Sequence, residues 1–263
     1  MLARRYGPWA IVTGASDGIG RSFATLIARS GLNVVLVARR ESVLQELADR
    51  LRQHQEVAVM VIAADLSSSE ECARIERETR DLDLGLLVAT AGFGVSGLFV
   101  DNDINVELNM IDVNCRALTQ MTHAFARRFV ARGSGGIILM SSLVAFQGVP
   151  RAANYAATKA FVQNLAEGLH DELGPLGVDV LASAPGPVKS GFGQRAGMRI
   201  RAGQTPDDVA TASLKALGRR TTVRPGFLAK VLEASLNLLP RRGRVKMMAR
   251  VMAGLTTNKA TPS

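Results

Sequence analysis

Short apolar runs recur along the chain and alternate with stretches whose apolar residues repeat at helical spacing. The runs Ala10–Thr13, Val34–Ala38, Val57–Ala63, Leu86–Ala89, Ile137–Met140 and Val178–Ala182 predict strands. Several are apolar at nearly every position, the pattern of strands covered on both faces. Strands alternating with helices predict repeated βα units around a parallel sheet. Ser42-x-x-Gln45 and Ser67-x-x-Glu70 have the form of capping boxes, in which side chains satisfy the free N–H groups at a helix start. In the first of these helices Val43, Leu47 and Leu51 share one face. Thr205-Pro206-Asp207-Asp208 predicts another helix start, with proline where no N–H is needed and acids at the positive end of the dipole. No repeat or low-complexity linker interrupts this order, so the 263 residues predict a single α/β domain.

Composition adds exclusions. A hydrophobic content of 47% can bury a sizeable core. No apolar run reaches the roughly 18 residues of a membrane span. The segment Met1–Pro8 lacks the apolar stretch of a secretory signal, and a cytoplasmic protein is expected. Cys72 and Cys115 show no paired spacing and no histidines at ligand distance, which predicts reduced thiols and no metal site. The net charge of +9 is unevenly placed. Residues 1–218 hold 22 Lys/Arg against 22 Asp/Glu, whereas residues 219–263 hold ten against one, Glu233. A nucleic-acid binder would carry a basic face on its folded domain, with aromatic or groove-reading elements. Neither is evident, so nucleic acid is not an expected partner.

The candidate chemistry begins with Tyr155 and Lys159. Four residues apart on a helix, they put a phenol and an ammonium on one face, a turn apart. Such a pair suits proton transfer to or from an oxygen. Ser142 precedes the tyrosine by thirteen residues. Near the N-terminus Gly14, Gly18 and Gly20 lie between a predicted strand and a predicted helix. Glycines there allow a tight turn and let backbone N–H groups approach a pyrophosphate. Each piece alone is common. Their order and spacing, with Asn114 between them, resemble the short-chain dehydrogenase/reductase family over roughly residues 7–190.

The resemblance implies a doubly wound Rossmann sheet of about seven parallel strands, helices on both faces and extra C-terminal helices. It also implies reversible carbonyl reduction with a nicotinamide dinucleotide. Tyr155 would give the proton to the carbonyl oxygen and Ser142 would hydrogen-bond that oxygen. Lys159 would lower the phenol's pKa and bind the nicotinamide ribose. Asn114 would hold a water linking the lysine to solvent, or else be the asparagine of a helix kink. Ionising a phenol at pH 7 requires about three units, roughly 4 kcal/mol. A cation about 4 Å away at an effective dielectric of about 20 supplies that much, so Lys159 is expected to suffice. Ser141, the competing serine, is expected to face away.

Cofactor choice is expected at the end of the second strand. NAD enzymes place an acid there for the ribose hydroxyls. Here Ala38 takes that place, and Arg39 and Arg40 follow, cations suited to a 2′-phosphate. NADP(H) is the expected cofactor, although Asp17 stands where many NADP-binding relatives carry a cation. The resemblance assigns Gly14, Ser16, Asp17, Gly18, Ile19 and Gly20 to the phosphate loop and the pair Asp65 and Leu66 to the adenine. Thr90, Ala91 and Gly92 stand where most relatives have Asn-Ala-Gly, so the supporting hydrogen bond of Thr90 is expected to be weak or absent. Pro185, Gly186, Val188 and Ser190 belong to the segment whose backbone would hold the nicotinamide amide.

Beyond this core, residues 186–204 are expected to form a substrate lid and residues 226–255 a C-terminal helical extension. Neither a seventh strand nor the Asp-Gly-Gly tail of many relatives is evident. Leu228, Val231, Leu232, Leu236 and Leu239 precede a second stretch in which Val245, Met248, Met252 and Leu255 form an apolar stripe beside Arg242, Lys246 and Arg250. This resembles relatives that reduce lipid-like or steroid-like ketones. The stripe is expected to wall the substrate pocket, with peripheral contact to an anionic membrane as the competing role. The leading expectation is an NADPH-dependent reductase of an apolar ketone or aldehyde. The alternative is reduction of a 3-oxoacyl thioester, with Arg127, Arg128 and Arg132 docking an acidic carrier protein and Arg195, Arg199 and Arg201 binding a phosphate-bearing carrier. A dinucleotide-binding regulatory protein is the third reading, disfavoured by the intact Asn114, Ser142, Tyr155 and Lys159. Relatives pair through the helices bearing Asn114 and Tyr155. The small residues Ala153, Ala156, Ala157, Ala160 and Gly168 predict a homodimer or homotetramer.

Overall fold

The computed structural model describes residues 2–198, 203–226 and 239–255. Seven strands form one parallel sheet in the order β3-β2-β1-β4-β5-β6-β7. They are β1 (Trp9–Thr13), β2 (Asn33–Ala38), β3 (Val59–Ala63), β4 (Leu84–Ala89), β5 (Gly135–Met140), β6 (Val178–Ser183) and β7 (Thr222–Val223). The first six lie where the apolar runs place them. The seventh, not evident in the sequence, pairs Thr222 and Val223 with Ala182 and Ser183. Two residues cannot carry a recognisable period, which is why it was not legible.

The helices are α1 (Leu2–Tyr6), α2 (Gly18–Arg29), α3 (Glu41–Gln55), α4 (Ser69–Glu78), α5 (Ile104–Ile111), α6 (Leu118–Arg132), α7 (Ala153–Leu173), α8 (Gly191–Arg195), α9 (Pro206–Ala216) and α10 (Arg241–Leu255). They cover both faces of the sheet. Because successive strand side chains point to opposite faces, Val34 and Leu36 meet Phe23, Ile27 and Leu44 on one side, while Val35 and Val37 share the other core with Ile75, Phe125 and Phe129. Each large apolar side chain so buried contributes about 1.5–3 kcal/mol.

Two expected helix starts are displaced. Arg40 stands at the cap of α3 without a side-chain hydrogen bond, so Ser42 does not cap it. The apolar face runs through Leu44, Leu47 and Leu51, with Val43 only half-buried. At α4 the cap is Ser68, whose hydroxyl accepts from Glu71 N at 3.3 Å. Ser67 is held instead by Asp65, to which its hydroxyl donates at 2.9 Å. The capping box at Thr205 and Asp208 forms as expected.

Strand order reverses between β1 and its neighbours β2 and β4. Consecutive connections leave on opposite faces there, and the loops at the carboxyl ends of the strands part to form a crevice. Among the described residues no helix is long and apolar enough to cross a membrane.

Candidate active site

A cleft of about 440 Å³ opens at this crevice, within the ordinary range for a small-molecule site. The loop after β1 turns at Gly14, whose φ of +71° suits glycine. A Cβ at Gly20 would stand 2.3 Å from the Gly14 carbonyl oxygen and 2.6 Å from the Thr90 hydroxyl, so only glycine lets α2 close onto β1 and β4. The Thr90 hydroxyl donates to the Thr13 carbonyl, and Ala91 N donates to the Thr13 hydroxyl at 3.2 Å. The supporting bond expected to be weak is therefore present. Because β1 and β4 are direct neighbours, a hydroxyl reaches across without the longer amide.

Asp17 caps α2, accepting from Gly18 N at 2.7 Å, and its other oxygen pairs with Arg195 of α8 at 3.3 Å. Arg195 thus brings a cation from α8 to the acid of the glycine loop. Arg40 donates to Ser16 Oγ at 3.2 Å, and Arg39 is exposed on the lining of the same cleft. Asp65, Leu66, Ala91, Gly92, Pro185, Gly186, Val188 and Ser190 also line it. The missing side chains at Gly14, Gly18 and Gly20, with arginines at the next strand end, fit a phosphate-bearing dinucleotide. Among the described residues no cluster could hold a metal.

Ser142, Tyr155 and Lys159 line the adjoining part of the cleft, and Asn114 lies buried behind them. Asn114 belongs to a π-helical turn, Asp112–Ala117, between α5 and α6. Its amide clamps Phe93, accepting from N at 3.1 Å and donating to O at 2.9 Å, and donates to Thr158 Oγ1 at 3.0 Å. It thus lies in an irregular helical turn and packs near the lysine. A Cβ at Gly92 would stand 2.9 Å from Asn114 Oδ1 and 3.5 Å from Lys159 Nζ. Ser141 is turned onto the backbone of α7, its hydroxyl 3.3 Å from the Lys159 carbonyl.

Burial dominates the protonation of the pair. It pulls the Lys159 ammonium down to about 8, against a smaller opposing effect of the Cys115 thiol. The ammonium donates to the Met140 carbonyl at 2.8 Å. Burial pushes the Tyr155 phenol up to about 12, with a hydrogen bond to Ser142 working the other way. Lys159 Nζ lies 5.8 Å from the centre of the Tyr155 ring. The expectation that the lysine alone would ionise the phenol fails in this state. Desolvation of the phenolate is the largest influence on the group.

Opposite the polar groups the wall is apolar. Phe93, Val144, Phe192, Met198, Met248 and Met252 line it, and the Phe192 and Tyr155 rings are 5.4 Å apart, tilted by 46°. Met248 and Met252 are buried in the cluster that holds Tyr155. Met248 and Met252 of the α10 stripe therefore pack on the site, the Leu255 side chain lies outside the described residues, and Arg242, Lys246 and Arg250 are exposed. Phe93 and Phe192 were not foreseen, because lone aromatics in loops carry no period.

The arginines invoked for carrier docking are largely occupied. Arg128 donates to the carbonyls of Thr79 at 2.9 Å and Leu82 at 2.7 Å, beyond the end of α4. Arg132 pairs with Asp83 at 3.0 Å and Arg195 with Asp17, leaving Arg127 exposed. Arg199, Arg201, Leu228, Val231, Leu232 and Leu236 lie outside the described residues.

Comparison with known proteins follows the same outline. The family model for short chain dehydrogenases matches residues 8–199. A 7beta-hydroxysteroid dehydrogenase of Clostridium sardiniense is 29% identical over 251 residues, covering 94% of this chain and 96% of its own. A short-chain dehydrogenase from Sphingobium yanoikuyae, solved in complex with NADPH, superposes with a TM-score of 0.79 at 33% identity, covering 97% and 99% of the two chains. A bulky-bulky ketone specific alcohol dehydrogenase from Comamonas testosteroni superposes with a TM-score of 0.77 at 32% identity, covering 97% of each. Since the match runs through both the phosphate loop and the tyrosine helix, the chain belongs to the short-chain dehydrogenase/reductase family of oxidoreductases, which bind a nicotinamide dinucleotide.

Proposed function

We propose that the protein is an NADPH-dependent reductase of apolar ketones or aldehydes that also oxidises the corresponding alcohols. One observation carries this reading: the dinucleotide cradle, the Ser142–Tyr155–Lys159 group and an uncharged wall share a single cleft. Apart from Lys159, the charged side chains lining it among the described residues are Asp17, Arg39, Arg40, Asp65 and Arg195, all at the dinucleotide end. A substrate held by phenylalanine and methionine side chains gains from burying apolar area, and among the described residues no cation stands there for a carboxylate. The names of the Clostridium and Comamonas relatives, a hydroxysteroid and a bulky-ketone enzyme, agree with this. Arg39 and Arg40 support the 2′-phosphate form of the cofactor, as does the NADPH complex of the Sphingobium relative. For the 3-oxoacyl alternative, Arg128, Arg132 and Arg195 have partners within the chain, whereas Arg127 is exposed and Arg199 and Arg201 lie outside the described residues. A very-long-chain 3-oxoacyl-CoA reductase of Podospora anserina, 36% identical over 185 residues, keeps it as the second reading.

When bound, the dinucleotide supplies the reducing equivalent for the carbonyl carbon. Tyr155, neutral at pH 7, gives its proton to the carbonyl oxygen, and the Ser142 hydroxyl steadies the charge developing there. Lys159, still largely protonated at pH 7, stabilises the phenolate left behind. Asn114 holds the Phe93 segment in place beside the lysine.

The test is NADPH consumption by the full chain with ketones graded from small to polycyclic. Turnover is expected to favour the bulky apolar members. Tyr155→Phe is expected to lose at least about 1000-fold in kcat while binding NADPH nearly normally. Near-normal turnover in that variant, or no consumption with any ketone, would overturn the reading.

A further inference from the structure

The chemistry above makes no use of Glu107, a carboxyl group on α5 that is only 4% exposed. Its oxygens are taken by amides from two other parts of the chain. Asn102 Nδ2 donates to Oε1 at 2.7 Å. Asn154 Nδ2 donates to Oε2 at 2.7 Å and to the Glu107 main-chain carbonyl at 3.0 Å. A buried carboxyl left without such donors costs more than it contributes, so the arrangement is stable only as a complete set.

The placement of the two asparagines gives the set its meaning. Asn154 lies in the first turn of α7, immediately before Tyr155. Ala152 caps that helix without a side-chain hydrogen bond. Asn102 closes the segment 93–103, which forms one wall beside the tyrosine. A Cβ at Gly94 would stand 3.0 Å from both the Tyr155 ring and the Phe192 ring, so this backbone lies flat against the phenol. The near end of the segment is clamped at Phe93 by Asn114, and its middle by Gly97 N donating to the Arg151 carbonyl at 2.9 Å. Ser96 Oγ donates to the Ala196 carbonyl at 2.6 Å, joining the segment to the end of α8. Glu107 fastens the far end to the turn that carries Tyr155.

We propose that Glu107 is a positioning residue: through Asn154 and Asn102 it locks the first turn of α7 against the 93–103 wall and fixes where Tyr155 meets the substrate carbonyl. The proposal rests on the reading of Tyr155 as proton donor. Glu107→Gln keeps the shape but replaces one acceptor with an NH₂ group. Asn154, whose NH₂ also bonds the Glu107 carbonyl, keeps the oxygen, and the new NH₂ faces the NH₂ of Asn102 in the orientation seen here. The brace then opens on one side. Misplacement of reacting groups by about 1 Å can cost about 100-fold, so kcat is expected to fall about 10- to 100-fold while KM for NADPH stays within about twofold. The double variant Glu107→Gln/Asn102→Asp restores a donor facing an acceptor and is expected to recover most of kcat.

A readout independent of turnover comes from the tyrosines, of which the chain has two, Tyr6 and Tyr155. In protein labelled with 3-fluorotyrosine, Tyr6→Phe assigns the two fluorine resonances. Glu107→Gln is expected to shift or broaden the Tyr155 resonance alone, and the double variant to return it. An unmoved resonance, kcat within about twofold of wild type, or loss of kcat without recovery in the double variant would overturn the proposal. If Glu107→Gln does not fold, Asn154→Ala is read by the same measurements. If the wild type reduces no ketone, the proposed function fails, while the fluorine spectra still decide whether the brace places Tyr155.

Discussion

Lys159 shows what its burial costs. Its pKa falls from 10.5 to about 8, chiefly through desolvation. Below about pH 8 the lysine is protonated in both folded and unfolded chains, and the folded state bears the full penalty of about 3 kcal/mol. Between about pH 8 and 10.5 the unfolded chain keeps a proton that the folded chain has lost, so this contribution to stability rises with pH. Lys159→Met is therefore expected to raise the cofactor-free stability at pH 7 by up to about 3 kcal/mol, with the gain shrinking toward pH 10. Denaturation of both proteins across that range checks it; a gain independent of pH would contradict it. Arg39 is tested by its ligand. Only NADPH carries the 2′-phosphate, and a charge-assisted pair is worth about 1.5–3 kcal/mol. Arg39→Ala is expected to lower kcat/KM for NADPH by about 10- to 100-fold and to leave that for NADH within about threefold. A wild type that prefers NADH would show that Arg39 does not select the cofactor.

Among the elements, α10 has a role that its own composition left open. A stripe of Val245, Met248 and Met252 beside three cations fits either a pocket wall or a membrane-surface helix. The fold places Met248 and Met252 in the buried cluster that includes Tyr155, while Arg242, Lys246 and Arg250 of α10 are exposed. Cations without an apolar face bind anionic lipid weakly and are screened by salt. Sedimentation with anionic vesicles is expected to show no binding through α10 at physiological salt. Met252→Ala, by contrast, is expected to lower kcat/KM for bulky ketones by about tenfold, since apolar contacts of that size are worth about 1–3 kcal/mol. NADPH affinity should be unchanged. The helix starts teach a related lesson. Serines at 67 and 68 are equally good caps, and the choice of Ser68 follows from Asp65 holding Ser67, a contact set by where β3 ends.

For the whole molecule, the surface that one chain leaves exposed bears on assembly. Leu98, Phe99, Val100, Ile104 and Leu108 are each more than half exposed, and Phe161 on α7 is 44% exposed. Ala153, Ala157 and Gly168 are exposed on α7 as a helix contact requires, whereas Ala156 is buried inside the chain. A second copy covering α5–α6 and α7 would remove this apolar surface from water. A dimer or tetramer is expected in sedimentation at micromolar concentration, and Leu108→Arg is expected to shift it toward single chains. A wild-type mass of one chain would exclude the pairing.

Much of the sheet was readable because parallel strands buried on both faces must be apolar at every position. Glycines, a phenol and an ammonium at set spacings likewise mark local needs of turn, helix face and proton transfer. Those features depend on neighbours along the chain, and the sequence by itself determined them. The two-residue β7, the occupation of Arg128, Arg132 and Arg195, the gathering of Phe93, Phe192 and Met252 into the cluster that holds Tyr155 and the Glu107 hydrogen bonds join residues distant in sequence. So does the balance that leaves the phenol protonated beside a lysine, since desolvation depends on everything packed around the group. Only the tertiary structure decided these, because no local period or propensity encodes which distant surfaces will exclude water together.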